Sequence, residues 1–129
     1  MTIQDQVIGA LTAWRENRGG GIPGMTSVLN VLANRAKQRS SSVYLEATRK
    51  WQFSSMTAPG DPNLILFPSA TDPQWQEALT LALQMAAGTL ADITKGATSY
   101  YALSMSPPPP SWAASMTPTV EIAGQKFFR

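Results

Sequence analysis

The sequence has no cysteine and no histidine among its 129 residues. Without cysteine there is no disulfide, no thiol nucleophile and no Cys-ligated zinc or iron–sulfur site. Without histidine, Ser-His-Asp and Cys-His catalysis, a histidine general base and His-ligated zinc are excluded as well. An enzyme built from this chain must therefore use carboxylates, lysine, tyrosine or hydroxyl groups. The side-chain carboxylates are Asp5, Glu16, Glu46, Asp61, Asp72, Glu77, Asp92 and Glu121.

The charge of the chain is small, with a formal net value of +2. The basic residues are scattered, with loose groups at 35–39 and 49–50, so we expect solvated helix ends and no nucleic-acid partner. A slight positive charge still favours encounter with an anionic polymer.

Long apolar runs are absent too. The N-terminus, Met-Thr-Ile-Gln-Asp, has neither the basic region nor the apolar region of a signal peptide. The most apolar stretch, 79–87, is broken by Thr80 and Gln84 and is too short for a membrane span. We expect a soluble protein made in the cytoplasm, without membrane insertion, and from its length one domain over residues 1–129.

Apolar periodicity predicts helices in the first two-thirds of the chain. The first spans 3–16 and is ended by the glycines at 19–21. The second begins near Pro23 and runs to about Gln38, followed by a brief helix over 43–50.

A further helix begins at Asp72-Pro73, a cap followed by a first-turn proline, and runs to about Ala87 before Gly88. Its expected core side consists of Trp75, Leu79, Ala82 and Leu83.

The rest of the chain is predicted to be irregular or extended. Three prolines make 51–71 irregular, with 64–67 (Leu-Ile-Leu-Phe) as a buried anchor. A strand is expected over 96–102, with a helical start as the alternative. A hairpin is expected where 119–123 and 126–128 flank Gly124-Gln125.

Glu16 is the most informative carboxylate. It ends a predicted helix, where the helix dipole and an apolar wall such as Trp14 would favour the protonated form that a general acid needs. Arg15 and Arg18 would favour the ionised form if they pointed at it. A glutamate at a helix end can also simply be solvated, and the pattern alone leaves these alternatives open.

Aromatic residues stand beside polar ones at 51–54 (Trp-Gln-Phe-Ser) and at Tyr100-Tyr101. This combination suits a sugar-binding groove, although the rings could equally fill a core. Asn34 and Arg35 are either a supporting layer or a surface edge. The prolines at 107–110 form a stiff connection or, in the alternative, a ligand for a proline-reading domain.

Taken in order, these features resemble the cell wall hydrolase family that includes spore-cortex-lytic enzymes and many phage endolysins. That family combines a Glu-Ala-Arg-Gly-Glu motif, a Gly-Met opening, an Asn-Arg helix, Gln-Phe-Ser, a stretch ending in Tyr-Tyr, a Pro-Trp and a closing Ile-Gly-X-His-X-Phe-Tyr. The corresponding segments here are 16–20, 24–25, 31–35, 52–54, 92–101, 111–112 and 122–128. Among the departures from the pattern, Gly20 replaces the second glutamate and Gln125 replaces the histidine. Glu16, in the place of the family's catalytic acid, is kept.

The resemblance implies a mainly helical α+β, lysozyme-like fold with a small β-hairpin element near the C-terminus. It implies cleavage of the β-1,4 bond between N-acetylmuramic acid and N-acetylglucosamine in peptidoglycan, with Glu16 as acid and base. Sugar binding is assigned to Gln52, Phe53, Ser54, Tyr100 and Tyr101, and support of the site to Asn34 and Gln125. No metal or organic cofactor is implied.

A chain with one obvious acid suits a lytic transglycosylase, which forms a 1,6-anhydro ring and needs no second carboxylate. Hydrolysis with Glu46, Asp92 or Glu121 as second carboxylate is the alternative. A non-catalytic glycan-binding module on the same fold is a further one. We expect a monomer acting on glycan strands, made in a host bacterium's cytoplasm and released to the wall during phage lysis.

Overall fold

The computed structural model describes residues 1–50, 52–105 and 109–129. These residues form five α-helices and three strands. The helices are α1 (Ile3–Asn17), α2 (Gly21–Gln38), α3 (Val43–Ala47), α4 (Ser54–Thr57) and α5 (Pro73–Ala87), and the strands are β1 (Ser99–Ala102), β2 (Pro118–Ile122) and β3 (Gln125–Phe128). The expected mainly helical α+β class is confirmed. None of the described helices is long and apolar enough to cross a membrane.

Helix α2 is the centre of the core. Its Met25, Val28, Leu29 and Leu32 are fully buried, and α1, α3 and α5 pack against it. Since these positions follow a helical period, one face of α2 is apolar throughout. The helix is consequently a rigid base for polar side chains farther along it.

The ends of α5 follow the predicted signals. Asp72 accepts hydrogen bonds from the main-chain N–H groups of Gln74 and Trp75, and Gly88 adopts the left-handed conformation at the other end. The expected core side was wrong in one position, because Leu83 is 59% exposed. The buried stripe of this helix is Ala78, Leu81, Ala82 and Met85.

The segment 64–67 is not the buried anchor that its composition suggests. Ile65 is 77% and Phe67 73% exposed. The segment is held by its main chain instead, since Arg15 Nε donates a hydrogen bond to the Leu66 carbonyl at 3.0 Å. The guanidinium carbon of Arg15 lies over the Phe67 ring, 4.8 Å from the ring centroid. The apolar side chains of Ile65 and Phe67 therefore face solvent, because the segment is held by the hydrogen bond from the buried Arg15 to its main chain.

The strands form an antiparallel sheet of order β1-β3-β2. The two-residue turn between β2 and β3 is Ala123-Gly124, with φ of 48° and 78°, as a type I′ hairpin requires. The expected turn at Gly124-Gln125 was therefore one residue late, and Gln125 begins β3. Strand β1 begins at Ser99 rather than at Gly96, because residues 92–96 form a tight loop around Asp92, which accepts hydrogen bonds from Thr94 and Gly96.

Polar side chains of α2 hold the segment that leads into β1. Asn30, Asn34 and Arg35 all donate hydrogen bonds to main-chain carbonyls between residues 91 and 98. Asn34 Nδ2 also donates to Asp92 Oδ2 at 3.0 Å. Because Asn30 and Asn34 are four residues apart, they lie on the same face of the helix. The hydrogen bonds from Asn30, Asn34 and Arg35 thus fix the position of β1 relative to the helices.

The junction of α1 and α2 is unusually close. Only the 3-10 turn Arg18–Gly20 separates the two helices. A Cβ on Gly24 would lie 2.9 Å from the Asn17 carbonyl oxygen and from atoms of the Asn17 side chain. The glycine is therefore required by the contact between two helices, not by a turn.

We expect the substitution Gly24→Ala to lower the free energy of unfolding by a net of about 1–2 kcal/mol, because overpacking outweighs the gain in helix propensity. Gly19→Ala is the matched control, since a Cβ there meets nothing within 4 Å. Urea denaturation measures both variants. Equal stabilities of the two would contradict the close contact at Gly24.

The buried Glu46 side chain forms ion pairs that stabilise the fold. Its side chain is fully buried and pairs with Arg49 at 2.6 Å and Arg39 at 3.7 Å. Burial raises the pKa of Glu46, but the hydrogen bond from Arg49 together with the charges of Arg49 and Arg39 lowers it, and the net result is a pKa below the ordinary value of 4.5. The ion pair with Arg39, the residue that caps α2, joins α3 to the end of α2.

A depressed pKa in the folded state stabilises the protein above the unfolded-state pKa, and this stabilisation is lost as the pH falls through the folded-state pKa. We therefore expect Glu46→Gln to lower the free energy of unfolding at neutral pH by about 1–3 kcal/mol. The difference from wild type should shrink below pH 4.5. Urea denaturation across pH tests this, with Glu121→Gln as an exposed control, and a pH-independent difference would contradict it.

Candidate functional site

A cleft of about 410 Å³ lies between the end of α1, the segment 52–58, β1 and the start of β3. Its walls carry one carboxylate, one arginine and several neutral polar and aromatic groups. The lining residues are Glu16, Arg35, Gln52, Phe53, Ser54, Thr57, Ala58, Tyr100, Tyr101, Ala102, Met105 and Gln125. Such a surface offers hydrogen bonds and flat apolar faces to an uncharged ligand.

Glu16 is placed by α1 and held by β1. It lies in the last turn of the helix, and the Tyr100 hydroxyl donates a hydrogen bond to its Oε1 at 2.7 Å. Burial, together with the charge and hydrogen bond of Glu16, raises the pKa of Tyr100 well above its ordinary value of 10.0. Tyr100 therefore keeps its proton and acts as a hydrogen-bond donor to the carboxyl group.

The two neighbouring arginines are hydrogen-bonded to groups other than Glu16. Arg15 donates to the carbonyls of Leu66 and Ser55. Arg18 donates to the Trp14 carbonyl and to Asn63, and its guanidinium lies over the Trp14 ring. Neither forms a salt bridge with Glu16 within the part of the chain that the structure describes. Trp14 is buried and does not line the cleft, so the apolar wall beside Glu16 comes from other residues.

Of the described residues that line the cleft, Glu16 is the only carboxylate. Glu46 is buried in its ion pairs. Asp92 is bound by Asn34 and by its own loop, and Glu121 lies on β2 opposite Lys126. The three carboxylates considered as a second catalytic group therefore serve other parts of the fold.

The segment 52–54 supplies one wall of the cleft. Gln52 Oε1 accepts a hydrogen bond from Arg35, so the amide is held in place, and Ser54 begins α4. Phe53 is only 2% exposed and packs against Tyr100, with ring centroids 6.4 Å apart. Its ring is thus part of the core beneath the cleft. Trp51, expected in the same cluster, lies outside the described residues.

The two tyrosines of β1 face opposite sides of the sheet. Tyr100 packs toward the helices against Phe127, with centroids 5.3 Å apart. Tyr101 stacks on Phe128, and Trp112 lies edge-on to both rings. Both tyrosines line the cleft. On the outer face of the sheet, Trp112 covers the rings of Tyr101 and Phe128.

The two expected supporting residues are placed differently. Asn34 does not line the cleft and acts through the 91–98 segment that positions Tyr100. Gln125 lines the cleft, and its Oε1 accepts a hydrogen bond from Asn17 Nδ2 at 3.3 Å. Asn17 Oδ1 in turn accepts the N–H of Gly20 at 3.1 Å. Gly20 and Gln125, which replace the glutamate and the histidine of the family pattern, therefore both contact the Asn17 side chain.

Smaller depressions continue the cleft on two sides. One shares Arg35, Gln52 and Tyr100 with it and is completed by Trp112 and others. The other shares Glu16 and extends along Arg18 to Asn63. Glu16 thus lies where the cleft and the second depression join, so an extended polymer can occupy both sides of this carboxyl group.

Four lining residues were not predicted from the sequence, namely Thr57, Ala58, Ala102 and Met105. Arg35, which the sequence left as a supporting layer or a surface edge, lines the cleft as well. Arg35 had a usable signal, because a charged residue beside the apolar face of a buried helix must find polar partners. Pro107 and Pro108 of the proline run lie outside the described residues. No group of side chains suited to hold a metal ion occurs among the residues that the structure describes.

Comparison with solved structures agrees with this architecture. The chain is similar in fold to the catalytic domain of the germination-specific lytic transglycosylase SleB from Bacillus anthracis, with a TM-score of 0.75 and 20% sequence identity. The match covers 100% of this chain and 97% of that one. The comparison with curated proteins gives no match.

The sequence also matches a protein-family model. The model for Cell Wall Hydrolase covers residues 19–129, beginning three positions after Glu16. It therefore includes every described cleft residue except Glu16. The match spans most of the chain, and the protein belongs to the cell wall hydrolase family, whose enzymes degrade peptidoglycan.

Proposed function

We propose that this protein cleaves the β-1,4 bond between N-acetylmuramic acid and N-acetylglucosamine as a lytic transglycosylase. The observation that carries the proposal is the single carboxylate among the described cleft residues. Glycosidases of the usual kind place two carboxyl groups roughly 5–9.5 Å apart across the bond. A mechanism that uses one group twice fits this cleft better.

In the first half of the reaction, protonated Glu16 gives its proton to the glycosidic oxygen. Tyr100 donates a hydrogen bond to Oε1, so the transferable proton resides on Oε2. The bond between C1 of the muramic ring and the leaving oxygen then breaks. The charge that develops at C1 is stabilised by the acetamido group of the same sugar, which replaces a second carboxylate.

In the second half, Glu16 acts as a base. Its carboxylate removes the proton from the 6-hydroxyl group of the muramic ring, and that oxygen forms a bond to C1. The product is a 1,6-anhydro sugar, no water is consumed, and Glu16 is protonated again. The fixed hydrogen bond from Tyr100 keeps the same Oε2 available for both proton transfers.

The shape of the surface supports a polymeric substrate. Depressions on both sides of Glu16 provide room for sugars on either side of the cleaved bond. Neutral hydrogen-bonding groups such as Gln52, Ser54 and Tyr101 line the cleft, as suits uncharged sugar rings. The role of a phage endolysin, released from a host cytoplasm and acting as a monomer, stays a prediction.

Digestion of purified sacculi tests the reaction, with the soluble products identified by mass spectrometry. We expect wild type to release muropeptides lighter by one water than hydrolytic products. Glu16→Gln should release none, while retaining the fold, because an amide oxygen still accepts the Tyr100 hydrogen bond. Glu121→Gln, a carboxylate outside the cleft, is the matched control and should behave as wild type.

The other outcomes contradict the proposal in different ways. Glu16-dependent products of full mass would indicate hydrolysis with a placed water or a second carboxylate. No products from wild type, with both proteins still sedimenting with the wall, would indicate a glycan-binding module.

Tyr100→Phe removes the hydrogen bond to Glu16 and keeps the ring contacts with Phe53 and Phe127. A hydrogen bond to a charged group contributes about 1.5–3 kcal/mol, so we expect the maximal rate on soluble glycan strands to fall roughly 10- to 100-fold. Tyr101→Phe should instead raise the substrate concentration needed for half-maximal rate. An unchanged maximal rate in Tyr100→Phe would show that this bond does not position the acid.

A further inference from the structure

Gln125 is the first residue of β3 and lies at the edge of the cleft that contains Glu16. A glutamine amide has a carbonyl oxygen on one side and an NH2 group on the other. Whether it offers the cleft an acceptor or a donor therefore depends on which way the amide is turned. The structure contains a chain of hydrogen bonds that decides this.

This series of hydrogen bonds begins at a backbone N–H group, which can only donate. The N–H of Gly20 donates to Asn17 Oδ1 at 3.1 Å, so the NH2 group of Asn17 is on the other side of its amide. That group, Nδ2, also only donates, and it reaches Gln125 Oε1 at 3.3 Å. Gln125 must present its oxygen to Asn17, and its NH2 group is consequently left for the cleft.

Asn17 is held tightly in this orientation. A Cβ on Gly20 would lie 2.8 Å from Asn17 Oδ1, and a Cβ on Gly24 would lie 2.9 Å from Asn17 Nδ2. The two glycines therefore leave a space that the asparagine amide fills. If the amide were turned round, an NH2 group would face the Gly20 N–H and a backbone donor would lose its partner.

We infer that Gln125 is a specificity-determining residue that donates from Nε2 to the carbonyl oxygen of a sugar acetamido group, and that Asn17 is the positioning residue that sets its polarity. This inference rests on the proposed function. Ala102, the cross-strand partner of Gln125, lines the same cleft together with Met105. These two side chains offer apolar surface to the acetamido methyl group. The acetamido group thus meets a donor, Gln125 Nε2, at its carbonyl oxygen and an apolar surface at its methyl group.

The test measures binding in a Glu16→Gln background, where no cleavage occurs, by titration calorimetry or NMR. The probes are chitotetraose and cellotetraose, which are neutral β-1,4 oligosaccharides that differ in the acetamido group. We expect a preference for chitotetraose that Gln125→Met, which has similar length and no donor, reduces about tenfold, as for one lost hydrogen bond. Lys126→Met, the next position on β3, is the matched control and should keep the preference.

Asn17→Asp tests the positioning role. The carboxylate of this variant would still accept the Gly20 N–H but would also present an acceptor to Gln125, which must then turn its NH2 group away from the cleft. We expect the same loss of preference, and no further loss when Asn17→Asp is added to Gln125→Met. A merely structural asparagine would change the unfolding temperature and leave the ratio of the two affinities unaltered.

An unchanged preference in Gln125→Met, an equal loss for both probes, or failure of the Glu16→Gln protein to bind chitotetraose would each overturn the inference. The proposed function is judged separately, from the products of wild type on sacculi. If wild type releases anhydro products while Gln125→Met keeps its preference, the inference alone fails. If wild type releases none, the reaction itself is wrong.

Discussion

The hydrogen bond from Tyr100 to Glu16 joins the end of the first helix to the first strand, two points 84 residues apart in sequence. Both partners need separate support. Glu16 is held at the end of α1 by the close junction with α2, and Tyr100 is held by a strand whose approach is bound to α2 through Asn34 and Arg35. Helix α2, which is buried on its apolar side, thus positions both Glu16 and Tyr100.

The same arrangement explains the polarity of the cleft. Arginines near Glu16 are occupied with backbone carbonyls. Glu46, Asp72 and Asp92 are used in an ion pair, a helix cap and a turn, respectively. What reaches the cleft beside Glu16 is mostly neutral and polar. A surface of this kind suits a glycan, and it leaves one titratable acid at the position where the depressions meet.

Four of the five described α-helices could be predicted from sequence because their signals are local, whereas α4 lies in the segment 51–71, which was expected to be irregular. Asp72-Pro73, Gly88 and the glycines after α1 mark helix ends by capping and backbone conformation within a few residues. Glu16, Gln52, Ser54, Tyr100, Tyr101 and Gln125 were expected at the site and do line the cleft, but this expectation came from the order of short motifs. Their roles in binding or catalysis stay predictions.

The features that could not be predicted from the sequence depend on contacts between segments that are distant along the chain. Leu66 and its neighbours have apolar side chains, and nothing local shows that Arg15 binds the backbone and leaves Ile65 and Phe67 exposed. Leu83 has the right residue type but lies outside the stripe that α5 buries. The position of Asn17 between two glycines and the hairpin likewise becomes visible only when all three segments are together.

The sheet order has a consequence for the time course of folding. Strand β3 is central, and it follows both of its neighbours in sequence. Within the described residues β1 pairs with β3 and not with β2, so the strand that carries Tyr100 gains its partner only after the intervening loop has closed. Hairpin formation and the pairing of strands distant in sequence are slower than forming local helices. The helices can therefore pack first, and the cleft becomes competent as a late event of folding, when the hairpin docks.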